Sequence, residues 1–145
     1  MKCPRSQLML NAACGTMDVF PSIVVPLCHV TFLIHVHVTS YVAILLEHFH
    51  LPMSECESTY IAIYDSLYAR DEYLIERIQC RLPVRDEQYT SDWNEMTVVW
   101  HRGRRVASMR VESFIAAYRG ISLVFSATKC EHDRVLVTFH YIKPH

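Results

Sequence analysis

The sequence predicts an α+β domain, and three observations predict it. Residues Glu95 to Thr128 hold three consecutive period-2 segments, EMTVVWH, RVASMRVESFI and ISLVFSAT, joined at Gly103 and Gly120, two of only three glycines in the chain. Within RVASMRVES, Ala107, Met109 and Val111 fall on one face and Ser108, Arg110 and Glu112 on the other. That is the pattern of an antiparallel meander with one dry and one wet side. Upstream, SECESTYIAIYDSLYA carries acidic residues in a first turn and sets Ile61, Tyr64, Leu67 and Tyr68 at helical spacing, which predicts a helix starting at Ser54 or Ser58.

The remaining elements follow in chain order. Residues 1–18 show no periodicity and read as a loose leader to a single domain over 19–145. HVTFLIHVHV is β-branched and almost continuously apolar, so a strand is expected near 29–38. SYVAILLEHFH prolongs that strand or makes a helical turn, and Pro52 stops it. EYLIERIQCRLPV alternates as a strand and ends at Pro83. After the meander and a turn at Glu131–Asp133, RVLVTFHYI forms a last strand.

Composition narrows the chemistry. Fourteen Lys and Arg balance 15 Asp and Glu for a formal charge of −1, which offers no broad footprint for nucleic acid. Six cysteines without a C-x-x-C pair, and no cleavable signal at the start, imply reduced thiols and a cytoplasmic protein. The apolar run Val30–Leu46 falls short of the roughly 20 residues of a membrane helix and holds His35 and His37 in its middle, so no membrane span is expected. With glycine only at 15, 103 and 120, no P-loop, G-x-G-x-x-G loop or G-x-S-x-G elbow can be written.

Three groups remain as candidate sites. His35 with His37, and His48 with His50, have the spacing of metal ligands on a strand face, against a plainer reading as strand histidines; no metal or other cofactor is assigned. Asp65 stands mid-helix among apolar and aromatic residues, where desolvation suits a carboxylate to general-base work, unless it faces solvent. Arg102, Arg104 and Arg105 make a positive turn that either meets phosphates or is a solvated hairpin tip.

STYIAIYDSLYA, with CRLPVRDEQYTSDWNEMTVVWHRGRRVASMRVESF, resembles the central helix and second to fourth strands of the hotdog-fold thioesterase superfamily, over about residues 54–130. The resemblance implies an antiparallel sheet wrapped around one central helix. It also implies hydrolysis of acyl-coenzyme A or acyl-carrier-protein thioesters in a site shared between subunits of a homodimer or dimer of dimers. Asp65 would be the catalytic base or nucleophile, the helix start at Ser58, Thr59 and Tyr60 would polarise the thioester carbonyl, and Arg102, Arg104 and Arg105 would meet coenzyme A phosphates. Where many members carry a histidine and paired glycines before the helix, this chain has Glu57, Ser58 and Thr59. The alternatives are a non-catalytic α+β module, hotdog-like or of the nuclear transport factor 2 cone type, that binds an apolar ligand or a protein partner, and an orphan protein whose histidines and cysteines mark no site.

Overall fold

The computed structural model describes residues 5–19, 29–50, 59–81, 84, 87–101 and 113–123. They form nine strands: β1 (Arg5–Leu10), β2 (Cys14–Val19), β3 (His29–His35), β4 (Ser40–His50), β5 (Tyr60–Tyr64), β6 (Leu74–Ile78), β7 (Glu87–Thr90), β8 (Glu95–His101) and β9 (Ser113–Ser122). One sheet has the order β1-β3-β8-β5-β6 and the other β2-β9-β4-β7. Every pairing is antiparallel except β1 with β3. Among the described residues the only helical element is a 3-10 turn at Asp71–Tyr73. The protein is therefore a two-sheet sandwich, and the expected α+β fold with a central helix is corrected to nearly all β.

From Thr59 onward the predicted helix is β5 followed by a bend at 65–68; its expected start at Ser54 or Ser58 lies outside the described residues. Its misreading has a physical cause. Ile61, Ala62 and Ile63 are all fully buried, because β5 lies between β8 and β6 within the sheet. A strand covered on both faces loses its period-2 contrast, and a short apolar run then cannot be told from a helix by periodicity. With no central helix among the described residues, a dimer built on central helices also loses its basis.

The meander is corrected too. β8 and β9 belong to different sheets, and between consecutive strands the chain changes sheet everywhere except from β5 to β6. Gly120 lies inside β9, opposite Val42. The chain needs glycine there for space: a Cβ would stand 2.9 Å from the Cβ of Val36. Gly103, most of RVASMRVES and the last predicted strand lie outside the described residues. The strand near 29–38 is present as β3, EYLIERIQC contains β6, and SYVAILLEHFH is a strand of its own in the opposite sheet. Of residues 1–18, read as a leader, the described part forms β1 and most of β2, an edge strand of each sheet. No helix among the described residues is long and apolar enough to cross a membrane; Val30–Leu46 is β3, a turn and part of β4.

One core fills the space between the sheets. Val30, Phe32 and Ile34 of β3, Met96, Val98 and Trp100 of β8, and Ile61 and Ile63 of β5 face Val42, Ile44, Leu46 and Phe49 of β4 and Phe114, Ala116 and Tyr118 of β9. A register shift between Leu46 and His48 lets Leu46 and Phe49 both point inward while His48 faces solvent. The shift lies before His48, and His48, Phe49 and His50 continue in regular register opposite Ile115, Phe114 and Ser113. Cys14 and Cys80 are each in a disulfide bond, so these two differ from the reduced thiols expected.

A polar network seals one edge. Arg81 donates to both carboxylate oxygens of Glu87, through Nη1 at 2.8 Å and through Nη2, and the Tyr89 hydroxyl donates to Glu87 at 2.5 Å. Burial pushes the Glu87 carboxyl up, but the hydrogen bonds from Arg81 and Tyr89 outweigh it, and the group titrates below the ordinary carboxylate range. Burial and the Glu87 charge hold the Tyr89 phenol well above its ordinary value.

Two outcomes follow from this packing. Gly120→Ala should destabilise the protein by about 1–3 kcal/mol in urea titrations, through overpacking. Combined with Val36→Ala it should cost less than the two single changes summed; additive costs would contradict the contact. Glu87→Gln should cost about 1–3 kcal/mol near neutral pH, from the lost charge-assisted bonds. Because the folded pKa of Glu87 is depressed, its stabilisation is present above the ordinary carboxylate range and lost as pH falls through the folded value. The difference between the two proteins should therefore be flat from about pH 6 to 8 and shrink below about pH 4.

Candidate functional site

One end of the sandwich gathers the connections β3–β4, β5–β6 and β7–β8. They are held to the strands and to each other by specific bonds. Ser91, fully buried, donates its N–H to the Val42 carbonyl at 2.8 Å and accepts from the Val42 N–H at 2.8 Å through Oγ. Val36 and Asn94 exchange bonds at 3.0 Å, N–H to carbonyl and side-chain amide to carbonyl. The buried Thr97 hydroxyl donates to the Ser66 carbonyl at 2.6 Å. The Ser91 and Thr97 bonds tie loops to core strands and the Val36–Asn94 bonds tie one loop to another, so the loops share the rigidity of the sheets.

Asp65 lies at the centre of this end. Its N–H donates to the Tyr73 carbonyl at 2.7 Å, and its Oδ1 accepts the Asp92 N–H at 2.9 Å. The carboxylate thus bridges the β5–β6 and β7–β8 loops, as aspartates do in turns. Around it opens a pocket of about 380 Å³ lined by Asp65, Glu72, Tyr73, Leu74, Ile75, Asp92 and Trp93. Trp93 is 76% exposed and Tyr68, on the neighbouring loop, 64%. Tyr68 is crossed by the Arg70 guanidinium 5.5 Å from its ring centre, and Arg70 meets Glu72 at 3.6 Å on the surface.

The arrangement does not suit the expected thioester chemistry. Thr59 is buried just ahead of β5 and Tyr60 is the first residue of that strand, so neither stands at a helix start with free amide donors. Asp65 lies five positions beyond Tyr60, about 16 Å along an extended chain, and the two do not converge. Three carboxylates around the pocket would repel the phosphates of coenzyme A. Ser58, Arg102, Arg104 and Arg105 lie outside the described residues.

His35 and His37 do not both lie in a strand, whereas His48 and His50 both belong to β4. His35 ends β3, exposed, and His37 sits in the β3–β4 turn, where its Nδ1 accepts from the Thr39 N–H at 3.2 Å and lies 2.7 Å from the Thr39 hydroxyl. Among the described residues no group of three or more His, Cys, Asp or Glu is placed to hold a metal ion. Sequence reasoning missed Trp93 and Asp92. They lie in YTSDWNE, a cluster of turn formers around one bulky aromatic, and that composition was the available signal.

No family model and no curated protein matches the chain. Solved structures do. The CUB1-EGF-CUB2 domains of rat MASP-1 match at a TM-score of 0.60 and 16% identity, covering 87% of this chain and 49% of that one. The CUB1-EGF-CUB2 domain of human MASP-1/3 matches at 0.61 and 17%, covering 77% and 43%. This chain thus spans less than half the length of either. The likeness shows the fold, a CUB-like β-sandwich, and it overturns the hotdog resemblance along with the hydrolase activity and acyl-thioester partners drawn from it.

Proposed function

We propose that the chain is a non-catalytic protein-interaction module that captures a basic segment of a partner at its loop end. The observation that carries this reading is the exposed indole of Trp93 beside the carboxylates of Asp65, Glu72 and Asp92 around one pocket. An aromatic face next to carboxylates suits the stem and charged head of a lysine or arginine, through apolar contact, cation–π attraction and ion pairing together. A CUB-like sandwich with a filled core supports recognition on its surface rather than chemistry in its interior. The disulfide-bonded Cys14 and Cys80 support an oxidising compartment outside the cytoplasm, in place of the cytoplasmic setting first expected.

The test is binding of a panel of lysine- and arginine-rich peptides, with acidic peptides of equal length beside them, by titration calorimetry. Basic peptides should bind preferentially and weaken as salt rises. Trp93→Ala should weaken binding by about tenfold or more, the loss expected of an exposed anchor. Asp92→Asn should weaken it less, and Asp18→Asn, on the distant exposed side of β2, should leave it unchanged. Equal binding of acidic and basic peptides, or indifference to Trp93→Ala, would remove this surface from the function.

A further inference from the structure

The outer face of the five-stranded sheet carries a row of rings unrelated to the loop end. His29 on β3 and His101 on β8 are registered directly opposite each other, and Tyr60 on β5 is registered opposite His101 on its other side. The Tyr60 ring stacks on His101 with centroids 4.9 Å apart and an interplanar angle of 27°. The Arg77 guanidinium covers Tyr60 at 3.8 Å. The two imidazoles meet edge-on at 72°, with His29 Nδ1 and His101 Nδ1 3.3 Å apart.

We propose that His29 and His101 form a two-histidine binding site for a divalent transition-metal ion, Zn²⁺ or Cu²⁺. Two nitrogens each about 2.0–2.1 Å from one tetrahedral ion are about 3.3–3.4 Å apart, which is the separation present here. The surroundings fit ligation as well as the distance does. The His29 Nε2 lies 3.1 Å from the Thr31 hydroxyl. When that hydroxyl accepts the Nε2 proton, Nδ1 is left as the unprotonated nitrogen of His29, and an ion bound there takes the place of the proton shared with His101 Nδ1 at 3.3 Å. The Tyr60 stack and its Arg77 cover fix the plane of His101. Imidazole nitrogens select borderline transition ions over Ca²⁺ and Mg²⁺, which take oxygen. Among the described residues no third ligand joins the pair.

Zn²⁺ titration of the whole chain by calorimetry, with Ca²⁺ for comparison, tests the site. The expected result is one Zn²⁺ per chain and no Ca²⁺ response at this face, with Zn²⁺ affinity reduced by about tenfold or more in His29→Gln and in His101→Gln. His37→Gln should bind as the unmodified chain does. An isotherm unchanged by His29→Gln, or lost in His37→Gln, would overturn the proposal. Electron paramagnetic resonance of the Cu²⁺-loaded unmodified chain decides the matter without any variant: two coordinated imidazole nitrogens are expected, and fewer than two defeats the site.

Discussion

The dry layer between the two sheets governs the rest of the molecule. Trp100, Phe114, Tyr118, Phe49 and Met96 are essentially without solvent contact, and the Phe32 and Phe114 rings meet across the layer at 6.4 Å. Each side chain reaches that layer only if its strand keeps register, since a slip of one residue would turn a whole set outward. The bulge after Leu46 and the glycine at 120 are adjustments to the same demand. One brings Phe49 inward, and the other lets β9 pass Val36 at a distance no larger residue permits.

Sheets locked in this way leave function to their ends and outer faces. The loops at the Asp65 end are bonded to Val36, Val42, Thr97 and each other, so Trp93 and the nearby carboxylates are displayed by a stiff frame. A preorganised surface loses little entropy on binding, which favours recognition of an incoming segment. On the outer face of the five-stranded sheet, cross-strand register does the corresponding work. It sets His29, His101 and Tyr60 in a row, though they are far apart in sequence.

Charge is distributed to match. The Arg81–Glu87–Tyr89 network is satisfied within itself and closes an edge. The carboxylates at the loop end stay near water, where their charge can act on a partner. Arg119 lies buried on β9 with its cationic form disfavoured by burial, partly offset by Tyr41.

From the sequence alone, the strands at β3 and β6 and the lack of room for phosphate-binding glycine loops were legible, while the α+β class with its central helix was not borne out. Each legible feature rests on local chemistry: β-branched runs, period-2 alternation, and the count of glycines. Asp65 was legible as a carboxylate of interest, because IAIYDSLY sets a charge inside an apolar run. Its role was not, because β5 is covered on both faces and its apolar run mimics a helix. The tertiary structure alone decided that β8 and β9 part to opposite sheets, that Gly120 serves a close approach rather than a turn, and that Asp65 spans two loops beside Trp93. Those outcomes depend on which strands pair across long sequence separations. Pairing is set by the fit of side chains in a shared core, which no local window of sequence contains.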